Sequence, residues 1–122
     1  MNARHQFHEA QGYVAITLEG RVTLPELGAH VQTVWSDPGW KPSYNGLLDF
    51  ANAFLDIREA ELQELMKAMA KDPRCSMGKW AIVVSTSVAF AKMRKADDVV
   101  DPKATLRIFF DLKSAQAWLL AK

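Results

Sequence analysis

The sequence has little cysteine and no long apolar segment. Cys75 is the single cysteine among 122 residues, so an intrachain disulfide is excluded. No apolar run approaches the roughly 20 residues that span a bilayer. The first residues, 1–5, lead into polar residues rather than into the apolar core of a signal peptide. We therefore expect no transmembrane segment and a protein that resides in the reducing cytoplasm.

An excess of either charge is also missing. Fifteen basic and fourteen acidic side chains leave a formal net charge of +1. Such a balance produces no long-range field that would gather nucleic acid or anionic lipid. Nucleic acid is therefore not expected as a partner.

The sequence lacks the usual motifs of cofactor and nucleophile sites. It contains no Gly-x-Gly-x-x-Gly, no Gly-x-x-x-x-Gly-Lys-Ser/Thr and no Gly-x-Ser-x-Gly pattern. His5 and His8 are three apart on a predicted strand and would point to opposite faces, and His30 falls on a predicted helix. We therefore expect no cofactor, no metal site and no catalytic residues, so the protein is not expected to be an enzyme.

What the sequence does contain is enough apolar material for a core. Its apolar fraction is 49% and its charged fraction 24%, with four Trp and six Phe. A chain of this length commonly forms one domain without metals or disulfides. We expect a single domain over residues 1–122.

The first half of the chain shows both strand and helix periodicity. Alternation on either side of Gly12 predicts a hairpin within residues 6–19, with the first strand over 4–9. The sequence from Thr23 to Glu26 has the form of a capped helix start, and the helical stripe that follows ends near Asp37.

The middle of the chain predicts a short buried strand and a second helix. Residues 47–50 form the strand, and Asn52, Phe54 and Leu55 belong to a loop after it. Asp56 then caps a helix, with Glu59 three positions later, and that helix ends at Asp72.

The last part of the chain completes an alternating pattern. Residues 80–84 are a clear strand, a helix runs from about Val88, residues 105–110 form the last strand and Asp111 opens a final helix. The order ββαβαβαβα predicts an α/β fold, with one mixed, mostly parallel sheet of five strands and four helices.

Two carboxylates are the most informative polar residues. Asp49 ends a predicted buried strand and Asp56 begins the next helix, so both fall at the carboxyl edge of the sheet, where open α/β sheets place their sites. Two interpretations stay open. The pair could act in catalysis, or Asp56 could cap the helix while Asp49 binds the adjacent loop backbone.

Three segments resemble those of a known family. They are residues 48–56 (LDFANAFLD), residues 80–84 (WAIVV) with 90–94 (FAKMR), and residues 107–111 (RIFFD) with Ala115, Trp118 and Leu119. The chain resembles SpoIIAA-like proteins, which are grouped with STAS domains and SEC14-type domains. The resemblance extends along the whole element order and implies a SpoIIAA-like fold.

The resemblance implies a non-enzymatic interaction or regulatory module. The loop and helix after the third strand would contact a protein partner or, in a SEC14-like protein, border the site of a small apolar ligand or lipid. STAS antagonists carry Asp-Ser-Ser/Thr-Gly at the start of this helix, and a serine there is phosphorylated. Here Asp56 is followed by Ile57, which has no hydroxyl, so control by phosphorylation at that position is not expected.

The residues expected to contact a partner or ligand come from two regions of the chain. They are Asp49, Phe50, Asn52, Phe54, Leu55, Asp56, Arg58, Ser87, Phe90, Met93 and Arg94. For a protein partner the shared surface would be Phe54, Asp56, Arg58, Ser87, Phe90 and Arg94. For a small ligand the pocket walls would be Phe50, Phe54, Leu55, Phe90 and Met93.

The first strand also offers an unpaired edge. Such an edge favours a homodimer, although charged residues blunt edges and Arg4 and Glu9 flank this one.

Overall fold

The computed structural model describes residues 2–72, 78–86, 91 and 106–121. These residues form one five-stranded sheet with the strand order β1-β2-β3-β4-β5. The strands are β1 Asn2–His8, β2 Tyr13–Val22, β3 Asn45–Leu55, β4 Trp80–Val83 and β5 Leu106–Phe109; the helices are α1 Leu24–Trp35, α2 Glu59–Lys71 and α3 Leu112–Leu120.

The sheet begins with the predicted hairpin. A 3-10 turn over Glu9–Gln11 joins β1 to β2, and Gly12 adopts φ +75°, a left-handed conformation that glycine accepts without strain. β1 is antiparallel to β2, whereas β2, β3, β4 and β5 are mutually parallel. The expected mixed, mostly parallel sheet of five strands is confirmed.

Within the described residues the sheet is accompanied by three α-helices. The fourth predicted helix, from about Val88, falls almost entirely outside those residues. None of the helices that the structure describes has the length and apolar character needed to cross a membrane.

The helices divide between the two faces of the sheet. Residues of α1 and α2 share one core cluster with Ile16, Leu48 and Ile82, whereas α3 packs on the other face through Ala115 and Leu119. Because successive strand residues point to opposite faces, the neighbouring residues Leu47 and Leu48 serve different clusters. This explains why the central strands read as continuous apolar runs.

The ends of two helices follow different chemistry. At α3, Asp111 accepts a hydrogen bond from the Ser114 backbone N–H at 2.7 Å, as its capping position predicts. At α1 the boundary at Thr23 is also as predicted, but the Thr23 hydroxyl donates to Glu26 Oε1 at 2.8 Å. That hydrogen bond lowers the pKa of Glu26 from its ordinary value of 4.5.

Two local predictions in the middle of the chain were wrong. The residues placed in a loop, Asn52, Phe54 and Leu55, lie in β3, and Asp49 therefore lies within that strand rather than at its end. α2 begins at Glu59 with Arg58 at the N-cap, two residues later than the predicted cap at Asp56. Both differences arise because β2 continues to Val22 and pairs with β3 as far as Leu55.

Candidate functional site

The most prominent surface feature is a two-stranded extension of the sheet. β4 ends at Val83, which pairs with Asp49, but β3 continues for six more residues. Over this length β3 pairs with the end of β2, from Glu19↔Asn52 to Val22↔Leu55. We call residues 19–22 and 52–55 the β2–β3 arm.

A bulge in β3 forms the base of the arm. Between Thr17↔Asp49 and Glu19↔Asn52, β2 advances by two residues and β3 by three. Asp49 Oδ1 accepts a hydrogen bond from the Ala51 backbone N–H at 3.0 Å, and the Ser85 hydroxyl donates to the Ala51 carbonyl at 2.7 Å. Asp49 and Ser85 thus satisfy the backbone N–H and carbonyl of Ala51, and the new register begins at the next residue, Asn52.

The two sides of the arm have different characters. Ala53 and Leu55 face inward and pack against the core beneath α1 and α2. Asn52 and Phe54, at alternate positions, face outward, and the Phe54 side chain is 68% exposed. Arg21 lies directly opposite Phe54 in the register and is also exposed.

An ion pair closes the end of the arm. The Arg21 guanidinium contacts Asp56 Oδ2 through Nη2, and its Nε donates to the same oxygen at 2.7 Å. The Asp56 backbone N–H donates to the Val22 carbonyl at 2.8 Å. Asp56 therefore fastens the chain leaving β3 to the end of β2, which is a different role from the predicted helix cap.

Just before α2, a buried residue, Ile57, is followed by an exposed one, Arg58. Ile57, the residue after Asp56, is 2% exposed and belongs to the core. Arg58 is exposed, and its backbone N–H and its Nε both donate to Glu61 Oε1 at 3.1 Å. The Arg58 N–H, followed by its side chain, lowers the pKa of Glu61 from the ordinary value of 4.5.

The structure brings together only part of the predicted surface. Asn52, Phe54 and Asp56 lie on or next to the outer side of the arm, with Arg21 as an addition that the sequence did not indicate. Phe50 and Leu55 pack in the core, away from the exposed side of Phe54. The predicted residues Ser87, Phe90, Met93 and Arg94 lie outside the described residues.

A second feature, a cleft between α1 and α2, was not predicted from the sequence. It has a volume of about 190 Å³ and reaches Leu48 in the central strand. Its lining residues are Leu27, Gly28, Val31, Gln32, Trp35, Leu48, Leu65, Ala68, Met69 and Asp72. We call it the α1–α2 cleft. The sequence shows an isolated glycine, Gly28, inside the predicted helix, but such a glycine by itself does not predict a cleft.

A third group links the edge strand to α1. His5 Nε2 lies 3.0 Å from Asp37 Oδ2, and the rings of His5 and His30 meet edge-on at 5.4 Å between centroids. Burial, and then the charge of His5, lowers the pKa of His30 from 6.5. The Gly39 N–H, and then His5, lowers the pKa of Asp37 from 3.8. Among the described residues no group of three or more potential ligands could hold a metal ion.

Comparison with known proteins yields one informative likeness. No protein-family model and no curated protein matches the chain. A solved structure does: an uncharacterized protein of the DUF3478 family from Shewanella loihica PV-4, described as having a SpoIIAA-like fold. The TM-score is 0.61 at 16% sequence identity, over 97% of this chain and 92% of that one. Together with the strand order and helix placement, this likeness shows that the chain has a SpoIIAA-like fold.

Proposed function

We propose that this chain is a non-enzymatic interaction module that binds a protein partner through the outer side of the β2–β3 arm. The observation that carries the proposal is the exposure of Phe54, 68%, on a strand whose alternate residues pack into the core. Among the large apolar side chains that the structure describes, Phe54 is the most exposed.

The surroundings of Phe54 have the composition of a contact site. An aromatic ring contributes a large apolar area on binding, and residues of this kind supply much of the energy of protein interfaces. Around it lie Asn52 and the Arg21–Asp56 pair, which are polar and exposed. An apolar centre with a polar rim is the usual anatomy of such an interface.

The environment of the two carboxylates supports a non-enzymatic role. Asp49 accepts from the Ala51 N–H at the bulge, and Asp56 binds Arg21. Each carboxylate thus has a structural partner, and no hydrogen bond joins the two among the contacts of the described residues. The resemblance to STAS antagonists supports regulation through binding. Buried Ile57, which follows Asp56, has no hydroxyl, so phosphorylation at that position is not part of the proposal.

The test compares two exposed apolar side chains, Phe54 near the end of β3 and Leu120 at the end of α3. Phe54→Asp removes the proposed centre. Leu120→Asp makes a comparable change at a side chain that is 48% exposed. The preceding residue, Leu119, accepts a hydrogen bond from Asn45 at the start of β3, about 30 Å along the strand from Phe54.

Affinity purification from extracts of the source cells, followed by quantitative mass spectrometry, measures the outcome. We expect a protein that wild type and Leu120→Asp both retain. The amount of this protein recovered with Phe54→Asp should be lower by at least about 30-fold, as for a central interface residue. Thermal denaturation establishes that both variants are folded. Equal retention of every captured protein by folded Phe54→Asp would show that the arm is not the contact surface.

A further inference from the structure

The α1–α2 cleft is deep and almost entirely apolar. Its floor is Leu48, which is 2% exposed, and buried Leu27 and Met69 line it as well. Val31, Trp35 and Leu65, all partly buried, also take part. A cleft that descends between two helices to the sheet suits a small inserted molecule better than it suits a flat protein surface.

Gly28 keeps the cleft open at a cost in helix stability. It lies within α1, at a position where an added Cβ would have nothing within 4 Å. A helix with glycine in its interior is less stable than one with alanine there. At position 28, therefore, neither close packing nor helix stability favours glycine over alanine. Ala68 lines the cleft from α2 with another small side chain. The space between the helices is therefore bordered by small residues on both sides.

The volume limits the size of the ligand. At about 190 Å³ the cleft falls below the roughly 300 Å³ at which sites for drug-sized molecules begin, so it is too small to enclose a lipid or a multi-ring compound. It is somewhat larger than an apolar cavity of about 150 Å³ that stays dry and binds benzene. One aromatic ring with a short substituent matches this space.

The chemistry of the walls limits the charge of the ligand. Among the residues that the structure describes, the lining includes the polar side chains of Gln32 and Asp72, and no lysine or arginine. The apolar walls that make up most of this lining disfavour a charge of either sign on a bound molecule. The partly buried indole ring of Trp35 is part of the lining and gives the walls an aromatic component.

We infer that the α1–α2 cleft is a binding site for an uncharged molecule with a single aromatic ring, held between Gly28 and Ala68 above Leu48. This site is separate from the proposed arm surface, because none of its lining residues belongs to the arm.

The probe for the test is benzyl alcohol, an uncharged single-ring molecule, and benzoate is its anionic counterpart. Each is titrated into isotope-labelled protein while two-dimensional amide spectra are recorded. We expect saturable shifts at the backbone amides of Gly28 and Leu65 and at the Trp35 indole, with a Kd on the order of 0.1 mM. Benzoate is expected to bind at least about tenfold more weakly.

Matched variants locate the site. Gly28→Leu fills the cleft from α1, and Ala68→Leu fills it from α2. Ala29→Leu adds a larger side chain at an exposed position of the same helix and is the control. We expect at least a tenfold loss of affinity in either filled variant and wild-type affinity in Ala29→Leu. The dispersion of each spectrum shows that the variant is folded, and the two fillings provide separate tests.

Several results would overturn the inference. Shifts that do not saturate, or that spread over residues outside the cleft, would mean that benzyl alcohol has no site there. Unchanged affinity in both folded filled variants would place the ligand elsewhere. Movement of the same resonances on raising the protein concentration alone would show that a second copy fills the cleft. Phe54→Asp is expected to bind benzyl alcohol normally, so failure of the arm proposal would leave this result unaffected.

Discussion

At the scale of single residues, two glycines have opposite roles. A Cβ at Gly46 would come within 2.6 Å of Trp80 Cδ2, whereas a Cβ at Gly28 meets nothing within 4 Å. Trp80 is 1% exposed and packs in the core cluster, so its ring has little freedom to move aside. Gly46 is therefore required by a residue 34 positions away in the sequence.

Alanine substitutions at these glycines test that contrast. Gly46→Ala is expected to lower the free energy of unfolding by about 1–3 kcal/mol, because it overpacks the core. Gly28→Ala, the matched control, is expected to raise it by about 0.4–1 kcal/mol, because it restricts the unfolded chain without a clash. Urea denaturation measures both changes. A Gly46→Ala variant as stable as wild type would contradict the assigned packing role.

At the scale of elements, the β2–β3 arm depends on the bulge in β3. Asp49→Ala removes the acceptor of the Ala51 N–H, and we expect the free energy of unfolding to fall by about 1–2 kcal/mol. Asp49→Asn retains an acceptor oxygen and is expected to lose less than half as much. Denaturant titration of the two variants gives the comparison. Equal losses in both would mean that the negative charge, and not the bulge hydrogen bond, is what stabilises the site.

Local patterns predicted most elements but not the length of β3. The strand at Trp80 and the cap at Asp111 follow from neighbouring residues and are confirmed. β3 was predicted too short because its continuation depends on pairing with β2, and such pairing has no local signal. The cap of α2 was misplaced because Arg58, which is not a typical N-cap residue, is stabilised there by Glu61.

The candidate site was predictable only in part, for related reasons. Phe54 was recognised as a large apolar residue near the sheet edge, but its outward direction follows from the register of the extended strand. The α1–α2 cleft arises from the spacing of two helices that lie far apart in sequence, so no local pattern predicts it. Arg21 was missed because its partner Asp56 is 35 positions away.

At the scale of the whole molecule, a histidine cluster connects the edge strand to α1 and makes stability depend on pH. The pKa of His30 is held below its ordinary 6.5 by burial and by His5. As the pH falls below 6.5, the unfolded chain gains a proton at His30 that the folded chain does not yet bind. The contribution of His30 to the free energy of unfolding is therefore complete above pH 6.5 and is lost as the pH falls from there through the lowered pKa. Asp37, whose pKa is lowered from 3.8, adds a loss at more acidic pH.

His30→Gln tests this dependence. We expect the wild-type free energy of unfolding to decrease between pH 7 and pH 5 with a slope from His30 of at most about 1.4 kcal/mol per pH unit, and the variant to decrease less steeply. Ala29→Gln, which places the same side chain on the exposed side of α1, is the control and should retain the wild-type slope. Guanidinium denaturation at several pH values measures the slopes. Identical slopes in wild type and His30→Gln would contradict the role of His30.

The strand order has a consequence for how the molecule is made. Because the five strands lie side by side in the order in which they occur along the chain, each strand joins an edge formed by its predecessor. A polypeptide emerging from the ribosome can therefore extend the sheet one strand at a time, starting with a hairpin closed by residues 9–12. Among the described helices it is α3 that covers the second face, and because it packs back onto β3 and β4 as well as β5, this cover forms only after all five strands have been synthesised.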